Sequence, residues 1–239
     1  MTRTDVAIVG AGLSGLALDR ELHRRGVDTL VLEADGRPGG VVRSLRVDGR
    51  VLDAGPQRTR LVPEVESLVE DLGLGERVVT APRGLPLFVY RDGRLRRVPF
   101  TIPEFVTTDL LSVRGKLRAV AEPLLPAARK RPSPGESVAA YLTRRLGREA
   151  CLHLVGPLYG GIYASDPAEM PVEHSLGPAL ERLGAADGSL VVAAARRMLS
   201  GKEAPPAATF TDGMAELTDA LADRAGDRLR LSCPATGLR

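Results

Sequence analysis

Near the amino end, Val6-Ala7-Ile8-Val9 is a short apolar run with β-branched members and no alternation, the pattern of a strand covered on both faces. Beyond it, Leu13, Leu16, Ala17 and Leu22 fall at helical spacing, and Gly26 stands where a left-handed C-terminal cap is expected. The pattern predicts a helix over residues 13–25. Thr29-Leu30-Val31-Leu32 is then the second parallel strand. Within residues 63–72, Val65, Leu68, Val69 and Leu72 make one apolar stripe, closed by Gly73 and Gly75. Strand-like runs at 85–90 and 95–99 bracket Arg91-Asp92-Gly93-Arg94, and Asp-Gly between such runs predicts a hairpin.

From Phe100 to Ala128 apolar residues alternate with the breakers Pro103, Gly115, Pro123 and Pro126. Phe105, Leu110, Leu111, Val113, Leu117, Val120, Leu124 and Leu125 fit short amphipathic helices there, followed by the basic run Arg129-Lys130-Arg131. Such helices either pack as a lid on their own domain or lie on an anionic membrane surface. Further helices are predicted at 136–146 and 150–158, the second ended by Gly160-Gly161. The stretch Gly156-Pro157-Leu158-Tyr159-Gly160-Gly161-Ile162-Tyr163-Ala164-Ser165-Asp166 reads either as a tight turn between helices or as the wall of a binding site. Residues 187–199 are helical by pattern, Pro205-Pro206 begins a linker, and 215–224 carries Leu217 and Leu221 on one helix face. Leu229-Arg230-Leu231 is a final strand. The expected fold class is α/β: a nucleotide-binding domain from residues 1–84, a largely helical second domain over 85–206, and a return segment at 207–239.

Composition narrows the chemistry. Of 239 residues 44% are apolar and 26% charged, ordinary values for a globular protein able to bury a sizeable core. A net charge of +3 and an aromatic share of 3%, with no basic block interleaved with aromatics, argue against nucleic-acid binding. Cys151 and Cys233 form no metal or redox spacing, and His23, His153 and His174 are scattered, so no metal site is expected. Met1 leads almost directly into the first strand and no run approaches the roughly 18 apolar residues of a membrane span. A reducing, cytoplasmic location is the expectation.

The chemistry concentrates between the first strand and residue 56. Gly10-Ala11-Gly12-Leu13-Ser14-Gly15 follows a strand and opens a helix at the spacing of the dinucleotide fingerprint. The first glycine turns the chain, the second lets backbone N–H groups approach a diphosphate, and the third lets helix pack on strand. The helix N-terminus adds partial positive charge. Glu33, followed by Ala34, ends the second strand about 20 residues further on, where an acid accepts hydrogen bonds from the adenosine ribose and repels a 2′-phosphate. Arg37-Pro38-Gly39-Gly40 comes next, with Arg43 beyond. Two adjacent glycines permit a second close backbone approach and Arg43 can offset phosphate charge; the bland reading is a turn followed by an exposed arginine.

Together these residues resemble the flavin-containing amine oxidase superfamily, which carries the Gly-rich loop, a ribose-binding Glu and an R-x-G-G segment followed by Arg. The resemblance implies FAD as cofactor, held by Gly10, Ala11, Gly12, Leu13, Ser14, Gly15, Glu33, Ala34, Arg37, Gly39, Gly40 and Arg43. It also implies that Gly55 and Pro56, in Asp53-Ala54-Gly55-Pro56, lie beside the isoalloxazine ring. The segment Gly-Pro-Leu-Tyr-Gly-Gly-Ile-Tyr-Ala-Ser-Asp and residues 210–221 resemble more closely the oxygen-dependent protoporphyrinogen oxidase family. That likeness implies a Rossmann-like FAD domain of the p-hydroxybenzoate hydroxylase type, a substrate domain and a helical membrane-binding domain. It further implies oxidation of a porphyrinogen, protoporphyrinogen IX or coproporphyrinogen III, to the porphyrin with dioxygen as acceptor in haem biosynthesis, with Gly160, Gly161, Ile162 and Tyr163 toward the substrate. No catalytic triad or metal is needed, because the flavin carries the redox step.

Two departures stand beside the resemblance. Family members are longer and complete the FAD site near their C-terminus, so this chain reads as an N-terminal half. Where some members place a propionate-binding arginine, the nearest position here is Leu87; Arg91, Arg94, Arg96 and Arg97 either meet carboxylates or are solvated hairpin charges. Two other readings stay open: an amine oxidase or desaturase relative with another substrate, and a non-catalytic dinucleotide-binding fragment.

Overall fold

Strand β1 (Val6–Val9) and strand β2 (Thr29–Leu32) run parallel, in register from Val6 opposite Thr29 to Val9 opposite Leu32, and helix α1 (Leu13–Arg24) connects them. This computed structural model describes residues 4–82, 84–201 and 205–237. Helix α1 ends as its pattern predicts, with Arg25 as cap and Gly26 at φ +76. Strands β3 (Ser44–Val47) and β4 (Arg50–Asp53) then pair antiparallel about Asp48 and Gly49, both at positive φ, a hairpin absent from the hydropathy reading. Short β5 (Thr59–Arg60), helix α2 (Pro63–Asp71) and β6 (Val78–Thr80) complete the first stretch. The chain divides into two units, one of residues 1–83 and 204–239, the other of 84–203.

The second unit opens with the expected hairpin, β7 (Phe88–Arg91) against β8 (Arg94–Arg97), turning at Asp92 and Gly93, again both at positive φ. Helices follow: α3 (Ile102–Thr107), α4 (Val113–Val120), α5 (Val138–Leu146), α6 (Arg148–Ala150), α7 (Gly156–Tyr163), α8 (Gly177–Arg182) and α9 (Leu190–Leu199). Thr101 and Glu104 form a capping box at α3. Helices α5 and α9 begin later than hydropathy predicts, because Ser137 and Ser189 cap them and fix their starts.

The glycine-rich stretch is neither a tight turn nor a helix end at Leu158. Gly160 and Gly161 lie inside α7, which stops at Tyr163 where Ala164 turns left-handed at φ +50. Packing overrides propensity here: Tyr159 is buried in the unit's core and its ring lies 4.5 Å from that of Tyr163. A π-helical turn over Cys151–Val155 precedes α7. It fits Pro157, which has no N–H to continue an α-helical ladder, and Gly156, whose β-carbon would stand 2.6 Å from the Cys151 carbonyl oxygen. The same unit buries an ion pair, Glu122 with Arg145, both wholly inaccessible. Arg145 also donates to Tyr141 Oη and the Gly188 carbonyl, while Glu122 accepts from the Ser189 hydroxyl and the Leu190 and Val191 amides. The acid is thus a remote cap for α9. No helix among the described residues is long and apolar enough to cross a membrane.

The return segment supplies β9 (Ala207–Phe210), helix α10 (Ala215–Ala225) and β10 (Leu229–Arg230). Strand β10 pairs parallel with β2, giving the order β1-β2-β10, and β9 lies between β5 and β6 in an antiparallel sheet. Ile8, Leu16, Val31 and Leu221 pack together, so α1 and α10 close on the parallel sheet. Each such side chain stabilises by about 1.5–3 kcal/mol on burial. Asp19, on the inner side of α1, accepts from the Thr29 hydroxyl at 2.5 Å and from Arg228 at 3.0 Å, tying helix, β2 and the approach to β10.

Candidate functional site

The site is assembled where β1 hands over to α1. The Gly10 amide donates to the Leu32 carbonyl at 2.7 Å, so the turn leaves the sheet at the end of both strands. Gly10 sits at φ +97, a region that side chains with a β-carbon rarely adopt. Gly15 packs so closely on the strand that a β-carbon there would lie 2.0 Å from the Gly10 carbonyl oxygen. Gly12 is the N-cap of α1, no side chain caps the helix, and open space surrounds the position its β-carbon would take. Leu13 and Ser14 are exposed beside it. The first N–H groups of the helix therefore face a gap lined by backbone.

Glu33 closes one side of that gap. Its Oε2 accepts the Ala11 amide at 2.7 Å and its Oε1 the Asp35 amide at 2.9 Å. These bonds from Asp35 and Ala11 hold its carboxyl below the ordinary value of 4.5, with burial acting the other way. Glu33 is therefore anionic at neutral pH and fixed at the mouth of the glycine loop. Ala11 is fully buried and Ala34 exposed.

The second loop lies against the first. The Gly39 amide donates to the Ala11 carbonyl at 2.8 Å, Gly12 and Gly39 form a parallel bridge, and a β-carbon at Gly40 would stand 3.3 Å from Gly12 Cα. Arg37 turns inward on its own loop, donating to the Gly40 carbonyl at 2.7 Å and the Pro38 carbonyl at 3.1 Å, while Arg43 is exposed. Gly55 touches the same loop: its β-carbon would lie 1.9 Å from the Val41 carbonyl oxygen. Ala54 donates to the Arg43 carbonyl at 2.8 Å, and Pro56 is exposed. The sequence-predicted residues from Gly10 to Gly55 thus form one connected backbone surface.

Residues without a local sequence signal hold this surface in place. The Ser44 hydroxyl donates to Asp53 Oδ1 at 2.5 Å across the β3–β4 pair. The Met214 amide donates to the same Asp53 oxygen at 3.0 Å, and the Ala215 amide to Ser44 Oγ at 2.9 Å. The N-terminus of α10 is capped by these distant side chains, since Met214 itself has no capping atom. Buried Thr218, one turn along, meets Gly39, where a β-carbon would lie 3.0 Å from its Oγ1.

The remaining candidates lie in the second unit. Gly160, Gly161, Ile162 and Tyr163 form the last half of α7, with the latter three exposed. The hairpin arginines all have acidic partners within the unit: Arg91 and Arg96 meet Asp92, Arg94 and Arg96 meet Asp109, and Arg97 meets Glu104. His153 sits in the π-turn, and burial together with the Arg91 charge lowers its pKa.

The sequence profile of the family described as flavin containing amine oxidoreductase matches residues 13–239, which include Gly15, Glu33 and the Gly39-Gly40 loop. The chain is 36% identical over 202 residues to protoporphyrinogen oxidase 2, chloroplastic/mitochondrial, of Arabidopsis thaliana, spanning 82% of this chain and 40% of that protein. It is 34% identical over 204 residues to coproporphyrinogen III oxidase of Staphylococcus aureus (strain NCTC 8325), spanning 80% and 42%. A crystal structure of a protein provisionally assigned as a protoporphyrinogen oxidase from Exiguobacterium sp. 255-15 superposes with a TM-score of 0.67 at 25% identity, covering 98% of this chain and 53% of that one. The chain spans about half or less of the length of these relatives.

Proposed function

This chain belongs to the flavin-containing amine oxidoreductase family, and from that we propose that it supplies the dinucleotide-binding half of an FAD-dependent porphyrinogen oxidase of haem biosynthesis. The substrate is protoporphyrinogen IX or coproporphyrinogen III, a reading supported by relatives named for protoporphyrinogen and coproporphyrinogen III, and dioxygen is the acceptor. The observation that carries the reading is the Glu33 carboxylate, held 2.7 Å from the Ala11 amide at the mouth of a glycine loop whose helix has no side-chain cap. The residues fit FAD: backbone donors and open space at Gly12 suit a diphosphate, and an anionic acceptor beside them suits a ribose.

In this reading the loop Gly10–Gly15, with the Leu13 and Ser14 amides, holds the diphosphate, and Glu33 beside Ala34 orients the ribose. Gly39 and Gly40 extend the backbone surface, Arg37 keeps that loop's carbonyls turned away from the anion, and exposed Arg43 offsets phosphate charge. Gly55 and Pro56 flank the ring, in a fold of the p-hydroxybenzoate hydroxylase type. When bound, FAD would supply the two-electron redox chemistry, and the chain's own residues would position the macrocycle and exclude water. Gly160, Gly161, Ile162 and Tyr163 are assigned to the substrate side.

The second unit contributes a membrane-facing surface in a cytoplasmic enzyme. Val113, Leu117, Val120 and Leu124 are exposed at helical spacing, Leu117 at 66% and Leu124 at 86%, with Arg114, Lys116 and Arg118 among them. Apolar residues flanked by bases suit the boundary of an anionic bilayer. The test of the whole reading is a titration of the protein with FAD followed by anaerobic addition of each porphyrinogen. Flavin uptake and bleaching by one of them are expected; no uptake, or no bleaching by either, defeats it.

A further inference from the structure

We propose that Ser44 and Asp53 are positioning residues for the cofactor, a clasp that fixes the Gly55 segment and the second glycine loop by anchoring both to the N-terminus of α10. The inference rests on the FAD site proposed above and extends it to two side chains that touch no predicted ligand position. Asp53 Oδ1 receives the Ser44 hydroxyl and the Met214 amide, and Ser44 Oγ receives the Ala215 amide. One hydroxyl and one carboxylate oxygen therefore join the paired strands β3 and β4 to the start of α10, across 171 and 161 residues of sequence.

The packing leaves no slack in this joint. A β-carbon on Gly213, at φ +92, would lie 2.4 Å from Ser44 Oγ and 2.8 Å from Asp53 Oδ1, so the α10 entry presses directly on the pair. From Asp53 the constraint passes along the backbone. Ala54 is bonded to Arg43, Gly55 abuts Val41, and Gly39 is bonded to Ala11 of the first loop. A shift at Ser44 thus moves the backbone surface that the diphosphate and ring would meet. The helix N-terminus also favours the Asp53 carboxylate, which gives the clasp an orientation as well as a place.

Loss of the Ser44 hydroxyl leaves the Ala215 amide and one Asp53 lone pair without their partner, and the segment is free to move by a fraction of an ångström. Ser44→Ala should weaken FAD binding about tenfold and blur the fine structure of the bound flavin's visible band, a change of about 1.4 kcal/mol. Ser44→Thr, which keeps the hydroxyl, should restore affinity and spectrum. Leu22→Ala, at the far end of α1, serves as a control for general destabilisation. It should lower the thermal midpoint of the flavin-free protein without altering the bound-flavin spectrum. If wild type binds FAD and Ser44→Ala binds it with equal affinity and spectrum, or if Leu22→Ala reproduces its losses, the clasp is refuted while the FAD site stands. If wild type takes up no FAD, the site reading falls and the clasp with it.

Discussion

Substituting Gly15 by alanine sets two effects of known size against each other. In an open helix position the change stabilises by about 1 kcal/mol, because alanine loses less backbone freedom than glycine. At Gly15 the new methyl would stand 2.0 Å from the Gly10 carbonyl oxygen, 3.2 Å from the Gly10 carbonyl carbon and 3.3 Å from Ile8 Cγ2. The obstacle is backbone, and that backbone is pinned by the Gly10 amide on the Leu32 carbonyl at 2.7 Å. Relief requires α1 to lift from β1 by about 1 Å, which opens the contacts of fully buried Leu16 and Ala11. Overpacking of this kind costs about 1–3 kcal/mol, and a backbone obstacle places it at the upper end. The net expectation is a loss of about 2 kcal/mol, accompanied by loss of FAD binding. Native-state hydrogen exchange at α1 amides reads this unit separately from the other, and FAD titration reads the cradle. A Gly15→Ala protein with unchanged or slower α1 exchange and intact FAD affinity would refute the steric argument.

Other outcomes follow from the same geometry. Gly161→Ala, inside α7 with no heavy atom near its β-carbon position, should stabilise by about 0.5–1 kcal/mol in urea denaturation, the opposite sign to Gly15. Glu122→Ala should destabilise the second unit by about 3–5 kcal/mol, because Arg145 is left buried without its partner; exchange at α9 amides should rise first. Glu33 has a folded pKa below its unfolded value, so its contribution is present above pH 4.5 and is lost as pH falls through the folded value. The acid limb of stability below about pH 4.5 should flatten in Glu33→Gln, as followed by circular dichroism. Leu117→Glu should reduce co-sedimentation with anionic vesicles severalfold, and unchanged binding would remove α4 from the membrane surface.

What the sequence determined alone is local in origin. The runs at 6–9 and 29–32 pair as parallel strands, as their largely apolar sequences predict, but the first is covered on one face only, with Ile8 buried and Ala7 and Val9 exposed; α1 follows from helical spacing up to Gly26. The turn at Asp92-Gly93 was legible because both residues must take positive φ; Asp48-Gly49 carries the same signal for the β3–β4 hairpin, which hydropathy alone passed over. The glycine loop and Glu33 were also legible, since a strand, a turn and a helix start bring residues 11 and 33 together through adjacent strands.

Only the tertiary structure decided the rest. Two glycines argued for a break at 160–161, yet α7 continues because Tyr159 is buried and outweighs their propensity. The acceptors of the Met214 and Ala215 amides arrive from Asp53 and Ser44, 161 and 171 residues away, and buried Asp19 finds Arg228 from 209 residues away. These partners are invisible in the sequence for a single physical reason: a hydrogen bond to a buried group depends on which atoms the finished packing brings within about 3 Å, and no residue's own neighbours encode that distance.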